Sequence, residues 1–358
     1  MSAYPSGASK EQGSGELRQC EQGIERASQW CSQTELERAM SVSGKELPGD
    51  NEPETRATDA VRELKRGASC KAVLETLWPS DAVDEASLAA FARLLRNDAI
   101  LARCPPKPSY LRQVLAKTVS RATDAGFTDD ALCEELAQAV VRDDDTEDAA
   151  SHVALGKVVM RTVDRANEVG LRLWPAAEVL VEWALDTLKP SRVLELGAGL
   201  GLVGLALARR PGFRVTLTDG DARVCANLRY NAALNDLDED VVKQFRWEED
   251  FGELWNEAGP FDVVLAADCV YDPSLAPPFA AVVDEALKRG ADVVLANAVR
   301  NPETWRVVVE ALAARDLIFE DLACVQAPRL VPARAWAGHA AALASGGLRL
   351  GRVVRRRV

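Results

Sequence analysis

Two different spacings of apolar residues divide the chain. Between about residues 61 and 142, Leu, Ala and Val recur at three- and four-residue steps in DEASLAAFARLLRNDAILARC, YLRQVLAKTVSRATDAG and DDALCEELAQAVVR. That spacing lays an apolar stripe along a helix and predicts a small all-helical domain. CPPKPSY punctuates it, because consecutive prolines end helices. From 152 to 358 the pattern changes to short, near-continuous apolar runs: RVLELG, RVTLTD, VVKQFRW, FDVVLAAD, ADVVLANAV, DLIFEDLAC and LRLGRVVRR. Helical segments such as GLVGLALARR, ARVCANLRYNAALN, PPFAAVVDEALKRG and PETWRVVVEALAARD separate them. Apolar strands joined by helices predict an α/β unit, with a parallel sheet covered on both faces. In the tail GRVVRRRV, Val alternates with Arg and predicts an edge strand. Residues 1–60, rich in Ser, Gly, Glu and Gln, show no sustained period; disorder is expected there, with a short helix around ELERAM. The acidic stretch 143–151, which carries DDDTEDAA, reads as a solvated linker.

The chemistry gathers where strands end. LELGAGLGLVG joins the first strand of the α/β unit to its helix, and Gly197, Gly199 and Gly201 let that turn approach a ligand closely. Gly199, Gly201 and Gly204 also fit the dinucleotide pattern, so the glycines alone leave an NAD enzyme open. Glu195 tilts the choice. A carboxylate two residues before the first glycine would repel a diphosphate, whereas it attracts the sulfonium and ammonium of S-adenosylmethionine. Asp219 ends RVTLTD and can accept ribose hydroxyls; its bland alternative is a cap on the following helix. Trp247 in FRWEED is placed to cover an adenine or simply to fill the core. Trp174 precedes Pro175 at a helix start, where a hydrophobic staple is the plain explanation. AADCVYDP ends another strand on Asp268, with Tyr271 three residues on; the acid either caps the next helix or holds a cationic substrate.

Charge and cysteines narrow the field. Acids outnumber bases by 55 to 43, which disfavours a duplex nucleic-acid partner. Eight scattered cysteines without a C-x-x-C pair, beside His152 and His339, predict no zinc site. No secretory leader or membrane span is expected, and the composition suits a reducing cytoplasm.

Together, ELGAGLGLVG, LTDGDARVCANLRYNAALN and AADCVYDP resemble the seven-strand, class I protein-lysine methyltransferases with a D-x-x-Y motif. ANAVRNPETWRVVVEALAARDLIFE and ILARCPPKPSYLRQVLAKTV resemble segments of the translation elongation factor 2 lysine methyltransferases within that family. The resemblance spans about 85–358 and departs at Arg246, where relatives often carry an acid or a small residue. It implies a Rossmann-like seven-strand sheet, S-adenosyl-L-methionine as cofactor, and a protein substrate, elongation factor 2, recognised by the helical domain. It also implies a cofactor site lined by Trp174, Gly197, Ala198, Gly199, Asp219, Trp247 and Ala267, with Asp268 and Tyr271 facing the substrate lysine. RNPET requires no such role: Asn301 reads as a helix cap with Pro302 in the first turn. The expected protein is a monomeric cytoplasmic lysine methyltransferase; the alternatives are an inactive methyltransferase-like assembly module and an NAD-dependent oxidoreductase.

Overall fold

The computed structural model describes residues 52–141, 151–163, 169–323, 325 and 328–356. The expected disorder of 1–51, the ELERAM helix and most of the acidic linker lie outside them. Residues 52–358 form one compact unit.

The helical layer contains α1 (Pro53–Lys65), α2 (Cys70–Leu77), α3 (Glu85–Asn97), α4 (Ala99–Arg103), α5 (Pro108–Asp124) and α6 (Asp130–Val141). It starts earlier than the boundary at 61. Pro53 opens α1, and Ala57, Ala60, Val61 and Leu64 form a buried stripe that continues the helical spacing to the N-terminal side. This stripe packs with Val73, Leu77, Leu88, Phe91 and Leu115 into a core of its own.

The layer is not detached from the α/β unit. Arg66, just past α1, reaches Glu178 in α7 (Pro175–Thr187), where the carboxylate also contacts His339 of α13 (Ala333–Ala344) at 2.6 Å. Burial raises the Glu178 carboxyl, but hydrogen bonds from Arg66 and His339 outweigh it and hold the group below the ordinary carboxylate range.

A hairpin absent from the strand expectations, β1 (Ser151–Leu155) and β2 (Val158–Thr162), lies beside the main sheet. Its outer strand is sutured by asparagines of α9 (Ala222–Leu234) and of the helix's C-cap. Asn235 pairs with both polar groups of the Val159 backbone, and Asn231 accepts from Arg161 N–H at 2.7 Å.

The main sheet has the order β5-β4-β3-β6-β7-β9-β8, with β3 (Arg192–Leu196), β4 (Arg214–Asp219), β5 (Val242–Gln244), β6 (Val263–Ala267), β7 (Asp292–Ala298), β8 (Leu317–Asp321) and β9 (Leu348–Arg355). Six strands run in one direction; β9 alone runs antiparallel to them, between β7 and β8. The tail is therefore an interior strand, and β8 is the edge. Leu348, Leu350 and Val353 of β9 are buried, while Arg352 and Arg355 are exposed.

Alternate residues along β3, β6 and β7 feed two cores. Val193, Leu265 and Val294 face α7, α8 (Leu202–Ala208) and α9; Leu194, Val264 and Leu295 face α10 (Phe251–Ala258), α11 (Ala276–Lys288) and α12 (Pro302–Ala313). The order reverses at β3, with β4 on one side and β6 on the other, which opens a crevice at the strands' C-terminal ends.

Candidate cofactor and substrate site

A cavity of about 410 Å³ fills that crevice, and every sequence-predicted site residue lines it: Trp174, Glu195, Gly197, Ala198, Gly199, Asp219, Trp247, Ala267, Asp268 and Tyr271.

The β3–α8 turn is shaped by left-handed glycines: Gly197, Gly199 and Gly201 have φ of 60°, 56° and 87°. A Cβ on Gly197 would fall 2.5 Å from Cys269 Cβ, and one on Gly199 would fall 3.1 Å from the Gly170 carbonyl oxygen. The turn thus closes against the loop after β6 on one side and against Val169–Leu171 on the other.

Asp219 ends β4 and accepts from Gly199 N–H at 3.2 Å and Asp221 N–H at 3.0 Å. It does not cap α9. Asp221 does, through Arg223 N–H at 2.7 Å. Burial raises the Asp219 carboxyl, with backbone N–H donors opposing.

Glu195 is 2% exposed and accepts from Gly204 N–H, in the first turn of α8, at 2.8 Å. Burial pushes its carboxyl up to about 8; the Gly204 N–H opposes this and the charge of Asp219 adds to it. Burial thus favours the protonated carboxyl over the standing anion expected from the sequence.

Trp247 lies beyond the third strand of the α/β unit, which ends at Gln244 and not at the tryptophan as the apolar run suggested. Its ring centroid is 5.1 Å from that of Phe279. Trp174 is the N-cap residue of α7, and its indole N–H donates to the Val169 carbonyl at 2.9 Å.

Asp268 follows β6 in the left-handed region, φ 53°, a strained backbone for any residue with a Cβ. Its N–H continues the ladder to the Ala296 carbonyl at 2.9 Å. One carboxylate oxygen accepts from Ala298 N–H at 2.8 Å and the other from Arg300 at 2.5 Å. It caps no helix. Asp272 takes that task for the turn Pro273–Leu275, through Ser274 N–H. Burial raises the Asp268 carboxyl, with Ala298 and Arg300 opposing. Tyr271, 56% exposed, stands at the rim.

Sequence reasoning missed Val169–Leu171, Cys269 and Leu275 in the lining, and Arg300 in contact with the acid. NEVGLRLWP carries no motif, and Arg300 sat inside a stretch read for its helix cap and its family resemblance, with no role given to the arginine. That cap is present: Asn301 accepts from Glu303 N–H at 2.9 Å.

Residues 158–308 match the lysine methyltransferase family. The chain is similar to the human protein-lysine N-methyltransferase EEF2KMT, 29% identical over 60% of this chain and 73% of that one. It is also similar to the protein-lysine N-methyltransferase EFM3 of Chaetomium thermophilum, 33% identical over 43% and 49% respectively. An uncharacterised Dictyostelium discoideum protein is 29% identical over 46% of this chain and 55% of its own length. The matched region thus spans about half of two of these three relatives. The strand order, with the family match over residues 158–308, is that of a class I methyltransferase fold, the class whose methyl donor is S-adenosylmethionine. The residues present suit that molecule: a glycine turn that leaves room for close approach, a carboxylate at the end of β4, and a second acid, Glu195, lining the same cavity. Among the described residues, no helix is long and apolar enough to cross a membrane, and no cluster of His, Cys, Asp and Glu could hold a metal ion.

Proposed function

We propose that this chain, whose residues 158–308 belong to the lysine methyltransferase family, methylates a lysine side chain of a folded protein, translation elongation factor 2, in the cytoplasm. The single observation that carries the reading is Asp268: a buried carboxylate at the cavity edge, fixed by a backbone N–H and a strained φ, and not used as a cap. The elongation factor is the substrate implied by the resemblance of ANAVRNPETWRVVVEALAARDLIFE and of the helical segment ILARCPPKPSYLRQVLAKTV.

S-adenosylmethionine, held by Trp174, Glu195, Gly197, Ala198, Gly199, Asp219, Trp247 and Ala267, supplies a methyl group on a cationic sulfur. The lysine must reach it as a neutral amine. Deprotonating a lysine of pKa 10.4 at pH 7 costs about 4.6 kcal/mol when nothing shifts it. Desolvation in the cavity reduces that cost. Asp268 receives the ammonium and then holds the amine with its lone pair directed into the cavity. Tyr271 offers a ring face and a hydroxyl at the rim, a wall for a narrow cationic chain. Alignment of this kind is worth several kcal/mol. The helical layer, α1 to α6, is the surface we assign to recognition of the protein substrate.

An NAD-dependent oxidoreductase no longer competes, given the family match. An inactive assembly module is separated by experiment. Purified elongation factor 2 is incubated with labelled S-adenosylmethionine and the wild-type protein or Asp268→Ala. The expected result is label on a lysine with the wild type, and a fall in kcat/KM of at least ~100-fold in the variant with cofactor affinity kept. Absence of label with the wild type, despite cofactor binding, would sink the reading.

A further inference from the structure

The carboxylate assigned to the substrate already holds a cation. Arg300, just past the end of β7, places a guanidinium nitrogen 2.5 Å from Asp268. Its guanidinium carbon lies 4.4 Å from the centre of the Trp174 ring, whose side chain lines the cavity. One cation thus sits between the acid and an aromatic wall, the place that the lysine-methylation reading gives to the substrate ammonium. The burial of the pair is lopsided: the Asp268 side chain is 1% exposed and that of Arg300 47%. The acid is fixed in the wall; the arginine reaches in from solvent on a short connection between β7 and α12.

We propose that Arg300 is a built-in occupant of the lysine subsite, displaced when substrate binds; this rests on the lysine-methylation reading. Both Asp268 oxygens are already engaged, one by Ala298 N–H and the other by Arg300. A second cation cannot share the carboxylate with Arg300 without like-charge repulsion, already heightened by a cationic cofactor nearby. Exchange is therefore one cation for another. Its physical value in the empty enzyme is that a carboxylate withdrawn from water keeps a compensating charge. It also sets specificity. A lone alkylamine gains little from replacing one cation by another, whereas a protein substrate brings contacts elsewhere that drive the exchange.

The test uses n-butylammonium, a lysine side chain without its backbone, titrated by calorimetry into the full chain saturated with S-adenosylhomocysteine. Arg300→Ala and Arg300→Gln should bind it roughly fivefold more tightly than wild type, the weight of a half-exposed ion pair. Arg300→Lys should stay near wild type, and adding Asp268→Asn to Arg300→Ala should erase the gain. With a lysine-bearing protein or short peptide as methyl acceptor, the neutral variants should lower KM without lowering kcat. Unchanged butylammonium affinity in cooperatively melting variants overturns the proposal. So does a roughly tenfold fall in kcat at constant KM, which would mark Arg300 as a positioner of Asp268. Loss of cooperative melting in both neutral variants also overturns it, since the pair would then be holding the fold. If the variants gain affinity while the wild type labels no lysine in any protein, the masked cation site stands and the lysine-methylation reading falls.

Discussion

Glu195 shows how a buried acid can serve a cationic ligand without carrying a charge beforehand. Its folded pKa of about 8 lies above the ordinary 4.5, so the native state binds the proton more tightly than the unfolded chain does. Its contribution to stability is fully present below the unfolded pKa and is lost as pH rises through about 8. A cation beside it reverses the preference. Binding of S-adenosylmethionine at pH 7 should therefore release up to about one proton, and affinity should rise between pH 6.5 and 8.5. Calorimetry in two buffers of different ionisation enthalpy measures the release directly. Glu195→Gln should abolish it; proton release persisting in that variant would assign the effect to Asp219, the neighbouring raised carboxyl.

At the scale of elements, the β3–α8 turn separates two kinds of glycine. Gly204 sits inside α8, where a Cβ would lie 2.1 Å from Leu217 and 2.9 Å from the Glu195 carboxylate. Gly199 borders the cavity in a left-handed conformation. Gly204→Ala should lower stability by about 1–3 kcal/mol through overpacking. Gly199→Ala should cost only ~1 kcal/mol of fold stability, from its φ. It should weaken cofactor binding about tenfold or more, equivalent to ~1.4 kcal/mol. Denaturant melts and cofactor titrations of the two variants check the split; equal stability losses with intact binding in Gly199→Ala would refute it. The sequence showed this turn because its glycines answer to backbone rules that leave a mark in the residues themselves. The same holds for β3, β4, β6 and β7, whose apolar runs are long enough to declare a buried strand. The hairpin β1–β2 left no such mark, since SHVALGKVVMRT buries only part of each strand. Its partner groups, Asn227, Asn231 and Asn235, look like ordinary polar positions of a helix and its cap until the hairpin is placed against them. Arg300 was illegible for a similar reason: a cation takes meaning only from the acid it reaches across the strand ends.

At the scale of the whole molecule, a charge cluster joins the helical layer to the α/β unit. Glu63, Arg66, Glu178 and His339 meet there, with both carboxylates nearly fully buried. Burial raises the Glu63 carboxyl and Glu178 adds to the rise, while Arg66, which bonds both acids, and the more distant Arg334 oppose it. Arg66→Ala should destabilise the protein by ~3 kcal/mol, because Glu178 then remains buried with His339 alone. A single cooperative transition shifted to lower denaturant is the expected melt. A loss below ~1 kcal/mol would show that His339 or solvent compensates. The same cluster explains why the helical layer, read from its spacing as a domain apart, is instead continuous with the sheet domain.

The position of β9 has a consequence for how the site matures. β7 carries Ala298, whose N–H fixes Asp268, and the next residue, Val299, donates its N–H to the Gly347 carbonyl at the start of β9. On a ribosome, Gly347 is polymerised after β8 and α13, so β7 waits with an unpaired outer side while both are made. β8 offers that side no native partner in the meantime, since its native place is one strand further out. The nascent chain can assemble the glycine turn and its acids early, yet the backbone that aims Asp268 is secured only when β9 inserts.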